Sequence, residues 1–237
     1  MNGYIAEEYI YNIIKYLNKK DGYNMLICCK AHYEHINVYY RIYEFDIKEI
    51  KKLDKEKKEN IRKIKGVRDI KEIEGLKNIR KIKFEERYNK IIEEIPTSVR
   101  EIELGNRFNN IIKKVPEKIE KIKFGKDYDM TIEWIPKKIR EIELGDGYNK
   151  EIPENMKEKK ELKKIVFGHW FNQELRNLPK NIEYIELGYK FNKEVKEVPE
   201  RIKKIKIYKI QDRLFKIKNK KKILKTYDVI DLLKMYT

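Results

Sequence analysis

Five of the six prolines of this chain, Pro96, Pro116, Pro136, Pro179 and Pro199, occupy one position of a recurring pattern, and the sixth, Pro153, is displaced from it by three residues. The pattern opens on an Ile-x-Phe or Ile-x-Leu triplet, at Ile82, Ile102, Ile122, Ile142, Ile165, Ile185 and Ile205. Successive openings lie 20, 20, 20, 23, 20 and 20 residues apart. Self-similarity at so short a fixed period is the signature of a solenoid, whose units bury their apolar faces only against neighbouring copies. That constraint comes before any other reading of the residues.

Each part of the pattern has a physical task. In the triplet, two apolar side chains point to one face of a strand and the middle residue to the other. Three residues make too short a strand to stand alone, so it must pair with its copies in adjacent coils. Gly105, Gly125, Gly145, Gly168 and Gly188 follow the strand, where a turn at positive φ favours glycine. An aromatic residue comes next, at Tyr88, Phe108, Tyr128, Tyr148, Phe171 and Phe191, expected to fill the coil interior. The residue after it is Asn89, Asn109, Asp129, Asn149, Asn172 or Asn192. Its short polar side chain is suited to satisfy backbone groups where the chain bends, as turn asparagines do. Proline then stiffens the return side, where no ladder N–H is required.

Charge order supports the same register. The middle strand residue runs Lys83, Glu103, Lys123, Glu143, Val166, Glu186, Lys206. Sign alternates from coil to coil, as parallel strands about 4.8 Å apart require. The second apolar position alternates Phe84, Leu104, Phe124, Leu144, Phe167, Leu187, Ile207, so large faces small in adjacent layers. Most of the Lys and Glu are therefore expected to form a solvated ladder that controls register.

Composition alone would mislead. Charged residues make up 41% and mean hydropathy is −0.81, values that suggest disorder. Hydrophobic residues also make up 41%, and their spacing supplies a core. The formal charge of +17 is concentrated: Arg201 to Lys225 holds twelve Lys or Arg against Asp212, a net of +11. Abundant Lys, Ile, Asn and Tyr also fit the codon usage of an AT-rich genome. The apolar runs are too short to span a bilayer, no secretory signal is visible, and the neighbouring Cys28 and Cys29 offer no disulfide framework. An intracellular setting is expected, with both cysteines packed in a helix. His32, His35 and His169 are scattered, with no nucleophile–base pair, metal-ligand spacing or phosphate loop. The expectation is a binding protein without catalytic residues, metal or cofactor. Trp170, in the two-residue turn after Gly168, is either an exposed anchor or a gap filler beside an inserted loop.

The ends are irregular, as solenoid ends are. Asn60-Ile61-Arg62-Lys63-Ile64-Lys65 returns as Asn78-Ile79-Arg80-Lys81-Ile82-Lys83, placing a degenerate first coil near Ile64. Thr226 to Tyr236 reads as a short amphipathic helix capping the C-terminus. Near the N-terminus, Ile10, Ile13, Ile14 and Leu17 sit at helical spacing. Asn18 to Gly22 ends that helix, Asp21 is placed to cap the next, and Met25, Leu26 and Cys29 form a second apolar face. The three extra residues before Ile165 are expected to bulge out around Asn155 to Lys160.

Two resemblances follow. Phe171-Asn172, Leu178-Pro179, Ile182, Ile185 and Leu187-Gly188 resemble the FNIP repeats of social amoebae and giant DNA viruses, which are similar to leucine-rich repeats. The match runs from about Ile79 to Ile207, with Asp129 for Asn and Glu85 for the first Gly as departures. The N-terminal segment looks like an F-box: Ile5-Ala6-Glu7-Glu8 stands where that family has Leu-Pro-x-Glu, and Ile13-Ile14, Leu17, Asp21, Met25 and Cys29-Lys30 match in order. Ala6, Gly22 and His32 depart from its usual proline, leucine and tryptophan.

The expected fold is α+β: a helical F-box-like domain at 1–45, a charged connector and degenerate coil at 46–78, a leucine-rich-repeat-like solenoid of parallel strands at 79–207, and a basic helical cap at 208–237. The resemblances imply a viral, substrate-recruiting adaptor of a cullin–RING (SCF-type) ubiquitin ligase, working in host cytoplasm. Ile5, Ala6, Glu8, Ile13 and Leu17 would dock on a Skp-type adaptor, and the repeats would hold a target protein. Two rivals stand beside this: a free-standing interaction scaffold, and, behind solubility and capping as explanations of the same charge, nucleic-acid binding through Arg201 to Lys225 with Tyr208 and Phe215 as stacking residues.

Overall fold

A computed structural model describes residues 2–28, 35–195 and 199–207, with side chains from Glu7 onward. The C-terminal cap expected at 208–237, together with Cys29, Lys30 and His32, lies outside the described residues. The chain divides into two compact units, Met1–Glu85 and Glu86–Thr237.

The first unit begins with three helices, α1 (Asn2–Ile14), α2 (Lys19–Ile27) and α3 (Ile36–Ile42). Ile10, Ile14, Leu26, Val38, Tyr39 and Tyr40 are buried among them, while Ile13 and Leu17 are half-buried. The cap of α2 is Asn18, whose side chain accepts from the Asp21 N–H at 3.0 Å. Asp21 was expected in that role, but it lies in the first turn and takes a hydrogen bond from the Asn18 amide at 2.6 Å. The end of α1 is closed by a distant residue. The Tyr43 hydroxyl lies 2.8, 3.0 and 3.2 Å from the carbonyl oxygens of Ile14, Leu17 and Asn18, of which Ile14 and Asn18 also accept from the Leu17 and Gly22 N–H at 2.9 Å each. Gly22 makes room for that hydroxyl, because a Cβ there would lie 2.3 Å from it. Cys28 is exposed rather than packed.

From Glu44 the first unit turns to coils. Strands β1 (Glu44–Asp46), β2 (Lys63–Val67) and β3 (Lys81–Phe84) are parallel, with Phe45 beside Ile64 and Ile64 beside Ile82. Their connections are short helices: α4 (Ile47–Ile50), α5 (Lys55–Asn60) and a 3-10 turn at Ile70–Ile73. Asp46 and Asp69 each close a capping box, with Glu49 and Glu72 respectively.

The second unit carries the regular repeat. Strands β5 (Glu101–Glu103), β7 (Lys121–Lys123), β8 (Glu141–Glu143), β9 (Lys164–Val166), β10 (Tyr184–Leu187) and β11 (Lys204–Ile207) pair in parallel and in register. Ile102, Ile122, Ile142, Ile165, Ile185 and Ile205 follow one another across the sheet, each at most 2% exposed. Beneath them the aromatic position forms a continuous column. Tyr88, Phe108, Tyr128, Tyr148, Phe171 and Phe191 stack nearly parallel, with centroids 6.0 to 6.5 Å apart. Burial pushes the Tyr148 phenol up to about 12.

Three expectations need correction. The glycines after the strands do not sit at positive φ; Gly66 and Gly75 do. They are needed for closeness instead: a Cβ on Gly125 or Gly145 would fall 1.8 Å from the carbonyl oxygen of the preceding coil's glycine. The return side also carries a ladder, because β4 (Ile92–Glu94) and β6 (Ile112–Lys114) pair in parallel just ahead of Pro96 and Pro116. Proline comes after that ladder, and its carbonyl accepts from the N–H three residues on, as at Val99 (3.0 Å) and Ile119 (3.1 Å). Pro136, Pro153, Pro179 and Pro199 open the same kind of turn. Finally, the insertion is not looped out. Glu154–Glu158 forms a 3-10 turn that buries Met156 to 1% exposure.

Candidate protein-docking surfaces

Helix α1 has two apolar faces. One is spent on the unit's core through Ile10 and Ile14. The other carries Tyr9 and Ile13 at helical spacing, with Tyr9 67% exposed, and Tyr16, 82% exposed, follows in the turn after Ile14. Ile5 and Ala6 lie in α1 ahead of this row, Glu8 beside it is exposed, and Leu17 follows the helix end, half-buried. Of the residues expected to dock, Glu8 is exposed and Ile13 half-buried; Tyr9 and Tyr16, which the sequence reading did not single out, are exposed beside them. Their i, i+7 spacing was the available signal, hidden by the abundance of tyrosine. Tyr23 and Ile27 on α2 are also exposed.

The strand face of the second unit is an ion ladder. Lys121 reaches Glu141 and Glu143 at 3.2 Å each, Lys123 reaches Glu143 at 3.2 Å, and Lys164 reaches Glu141 at 2.5 Å. Burial alone would raise the Glu143 carboxyl, but hydrogen bonds and charge from Lys121 and Lys123 outweigh it and hold the group below its usual range. Val166 and Tyr184 interrupt this ladder in β9 and β10.

At the bend, the asparagine position forms a second ladder. Asn89 accepts from the Asn109 N–H at 2.9 Å, Asn109 from Asp129 at 3.1 Å, and Asp129 from Asn149 at 3.3 Å. Asn149 then accepts from Asn172 at 2.8 Å, and Asn172 from Asn192 at 3.0 Å. The side chains serve the next coil, not their own turn as expected. A carboxylate accepts as well as an amide, which explains Asp129; its charge is met by Lys150 at 3.1 Å.

Just before this ladder runs a ridge of two-residue turns, also joined coil to coil. The Arg107 N–H donates to Glu86 at 2.9 Å, Asp127 to Asn106 at 2.9 Å, Gly147 to Lys126 at 2.7 Å, Trp170 to Asp146 at 3.0 Å and Lys190 to His169 at 3.0 Å. Trp170 stands 54% exposed on this ridge, so it fills no gap beside the insertion. A cleft of about 840 Å³ on the return side is lined by Leu175, Leu178 and Val195 but also by Glu174, Arg176, Lys180, Glu194 and Glu200. That charged lining is unlike the mainly apolar wall of a small-molecule site.

Among the described residues, no cluster of His, Cys, Asp and Glu could hold a metal ion, and no helix is long and apolar enough to cross a membrane. The basic end beyond Ile207, with Tyr208 and Phe215, lies outside the described residues.

No curated protein matches the chain. The fold is similar to a crystal structure described as "CroV588 a novel circular LRR protein structure", with a TM-score of 0.51 and 25% identity. That similarity covers 54% of this chain and only 20% of the other, so the chain spans about a fifth of that protein's length. Residues 88–127, 108–147, 160–190 and 171–209 match the family model of the FNIP Repeat. The second unit thus carries stretches that match the FNIP Repeat, and its parallel-stranded coils are similar to leucine-rich repeats.

Proposed function

We propose that this chain recruits a target protein to a cullin–RING ubiquitin ligase, docking through α1 on a Skp-type adaptor while the FNIP repeats hold the target. It acts by proximity: tethering a target beside the ligase raises its effective concentration, and no chemistry is asked of the chain itself. The observation that carries the reading is the second apolar face of α1. Tyr9 and Ile13 on the helix, with Tyr16 in the turn just past it, are more apolar surface than a surface helix needs, and they coincide with the stretch that resembles an F-box. The setting would be the host cytoplasm. A free-standing scaffold is the alternative, favoured by the departures at Ala6 and Gly22; Gly22 is explained by Tyr43 without any docking role.

The test uses the full chain and a purified Skp-type adaptor. Co-elution at micromolar concentration, weakened by Glu8→Lys and abolished by Ile13→Glu in a chain that keeps its thermal unfolding profile, is the expected result. A wild-type chain that elutes alone would leave only the scaffold.

A further inference from the structure

A strict repeat supplies its own control, because each position shows what the fold needs there. At the two-residue turn the coils carry Glu86-Arg87, Asn106-Arg107, Lys126-Asp127 and Asp146-Gly147, all polar or small. The next two carry His169-Trp170 and Tyr189-Lys190. Nothing in the coil requires this, since the backbone ladder of the ridge is the same before and after the change. The same two coils also hold Val166 and Tyr184, where the strand face is otherwise charged.

The four side chains form one cluster. The His169 ring stacks on Tyr189 with centroids 5.4 Å apart and meets Trp170 edge-on at 5.2 Å. The Lys190 ammonium lies 5.1 Å from the Trp170 ring centre and 5.8 Å from that of Tyr189. Among the described residues no carboxylate pairs with Lys190. One coil earlier, the position of Trp170 is Gly147, which offers the indole no side chain to pack on. An exposed indole beside a half-buried phenol, both held on a rigid ladder, loses little conformational entropy when a partner covers it, which is the property of binding hot spots.

We infer that the ridge of His169, Trp170, Tyr189 and Lys190 is the target-binding site, and that it takes a protein segment presenting an aromatic or aliphatic side chain next to a carboxylate. The apolar side chain covers Trp170 on its Gly147 side, and the carboxylate meets Lys190. A nucleic-acid strand fits less well, because its affinity rests on several phosphate contacts and this cluster offers Lys190 alone, the ridge's Lys126, Arg107 and Arg87 standing two or more coils away. The inference deepens the reading of the repeats as a protein-binding surface and is independent of adaptor docking through α1.

The experiment selects a displayed library of random 12-residue peptides on the immobilised full chain. Enriched peptides should pair an aromatic or aliphatic residue with Asp or Glu. Trp170→Ser should weaken them by about tenfold or more, and selection on Lys190→Glu should enrich Lys or Arg in place of the acid. Trp170 is exposed, so both variants should unfold at the wild-type temperature. Peptides that bind wild type and Trp170→Ser equally would overturn the site and leave the protein-binding reading standing. A library that yields no binder would overturn both. Single-stranded RNA retained by wild type and lost in Trp170→Ser would overturn the assignment in favour of base stacking.

Discussion

The two units of this chain are ordered by different kinds of contact. In residues 1–85 the decisive contacts are used once: the Tyr43 hydroxyl packs at the end of α1 in the space that a side chain at Gly22 would need. In residues 86–207 the decisive contacts recur every twenty residues or so: the glycine approach, the aromatic column and the asparagine ladder. A contact used once puts all its weight on two residues. A contact used in every coil lets the fold tolerate a local departure, as at Asp129, and leaves turn positions free to vary toward binding, as at His169 and Trp170.

The largest expected effect tests how much one coil of the column carries. Phe171 is fully buried between Tyr148 and Phe191, and Phe171→Ala should cost about 4 kcal/mol in urea unfolding. A cost below about 1 kcal/mol would mean that the coils relax around a gap, and that the repeat is more forgiving than the comparison allows. Next comes Gly145→Ala, which drives a Cβ into the Gly125 carbonyl. Backbone cannot step aside as a side chain can, so about 3 kcal/mol is expected.

Tyr43→Phe probes the first unit. It keeps the ring and removes the one hydroxyl proton that the carbonyls of Ile14, Leu17 and Asn18 share, at a cost of about 1 kcal/mol. Hydrogen exchange should show faster opening at the end of α1 and no change around β7 and β8. A smaller cost attaches to the asparagine ladder: Asn109→Ala should lose about 1 kcal/mol, and Asn109→Asp much less, since Asp129 already fills that role. The ion ladder comes last. Glu143 is held below its usual range in the folded state, so its contribution is present above the ordinary carboxylate value of 4.5 and is lost as pH falls through the lower folded value. A urea midpoint compared at pH 7 and pH 3 should fall more for wild type than for Glu143→Gln, by well under about 1 kcal/mol because the face is solvated.

The same difference explains what could be read from the residues alone. Periodic positions announce themselves, so the parallel register of Ile102, Ile122 and Ile142 and the buried aromatic column were legible. The roles of the glycines and asparagines were legible as positions but not as mechanisms, because both act on the neighbouring coil and a single coil suggests a local turn. Tyr43 was not legible at all: its partners lie 25 to 29 residues away and occur once. One signal was present and missed. Asp-Ile-Lys-Glu-Ile stands at both 46–50 and 69–73, and it marks the two capped turns that follow β1 and β2. The exposed Tyr9 and Tyr16 beside Glu8 and Ile13 were not legible, because tyrosine is abundant along the chain.

Methyl-labelled isoleucine in a solution NMR experiment reaches the foundation of the account. Ile122 should show methyl contacts to Ile102 and to Ile142, with no contact between Ile102 and Ile142 and no close Hα–Hα pairs between their strands. Strong Hα–Hα contacts, which only antiparallel neighbours make, or isoleucines that never see one another, would contradict the stacked parallel coils on which every assignment here rests.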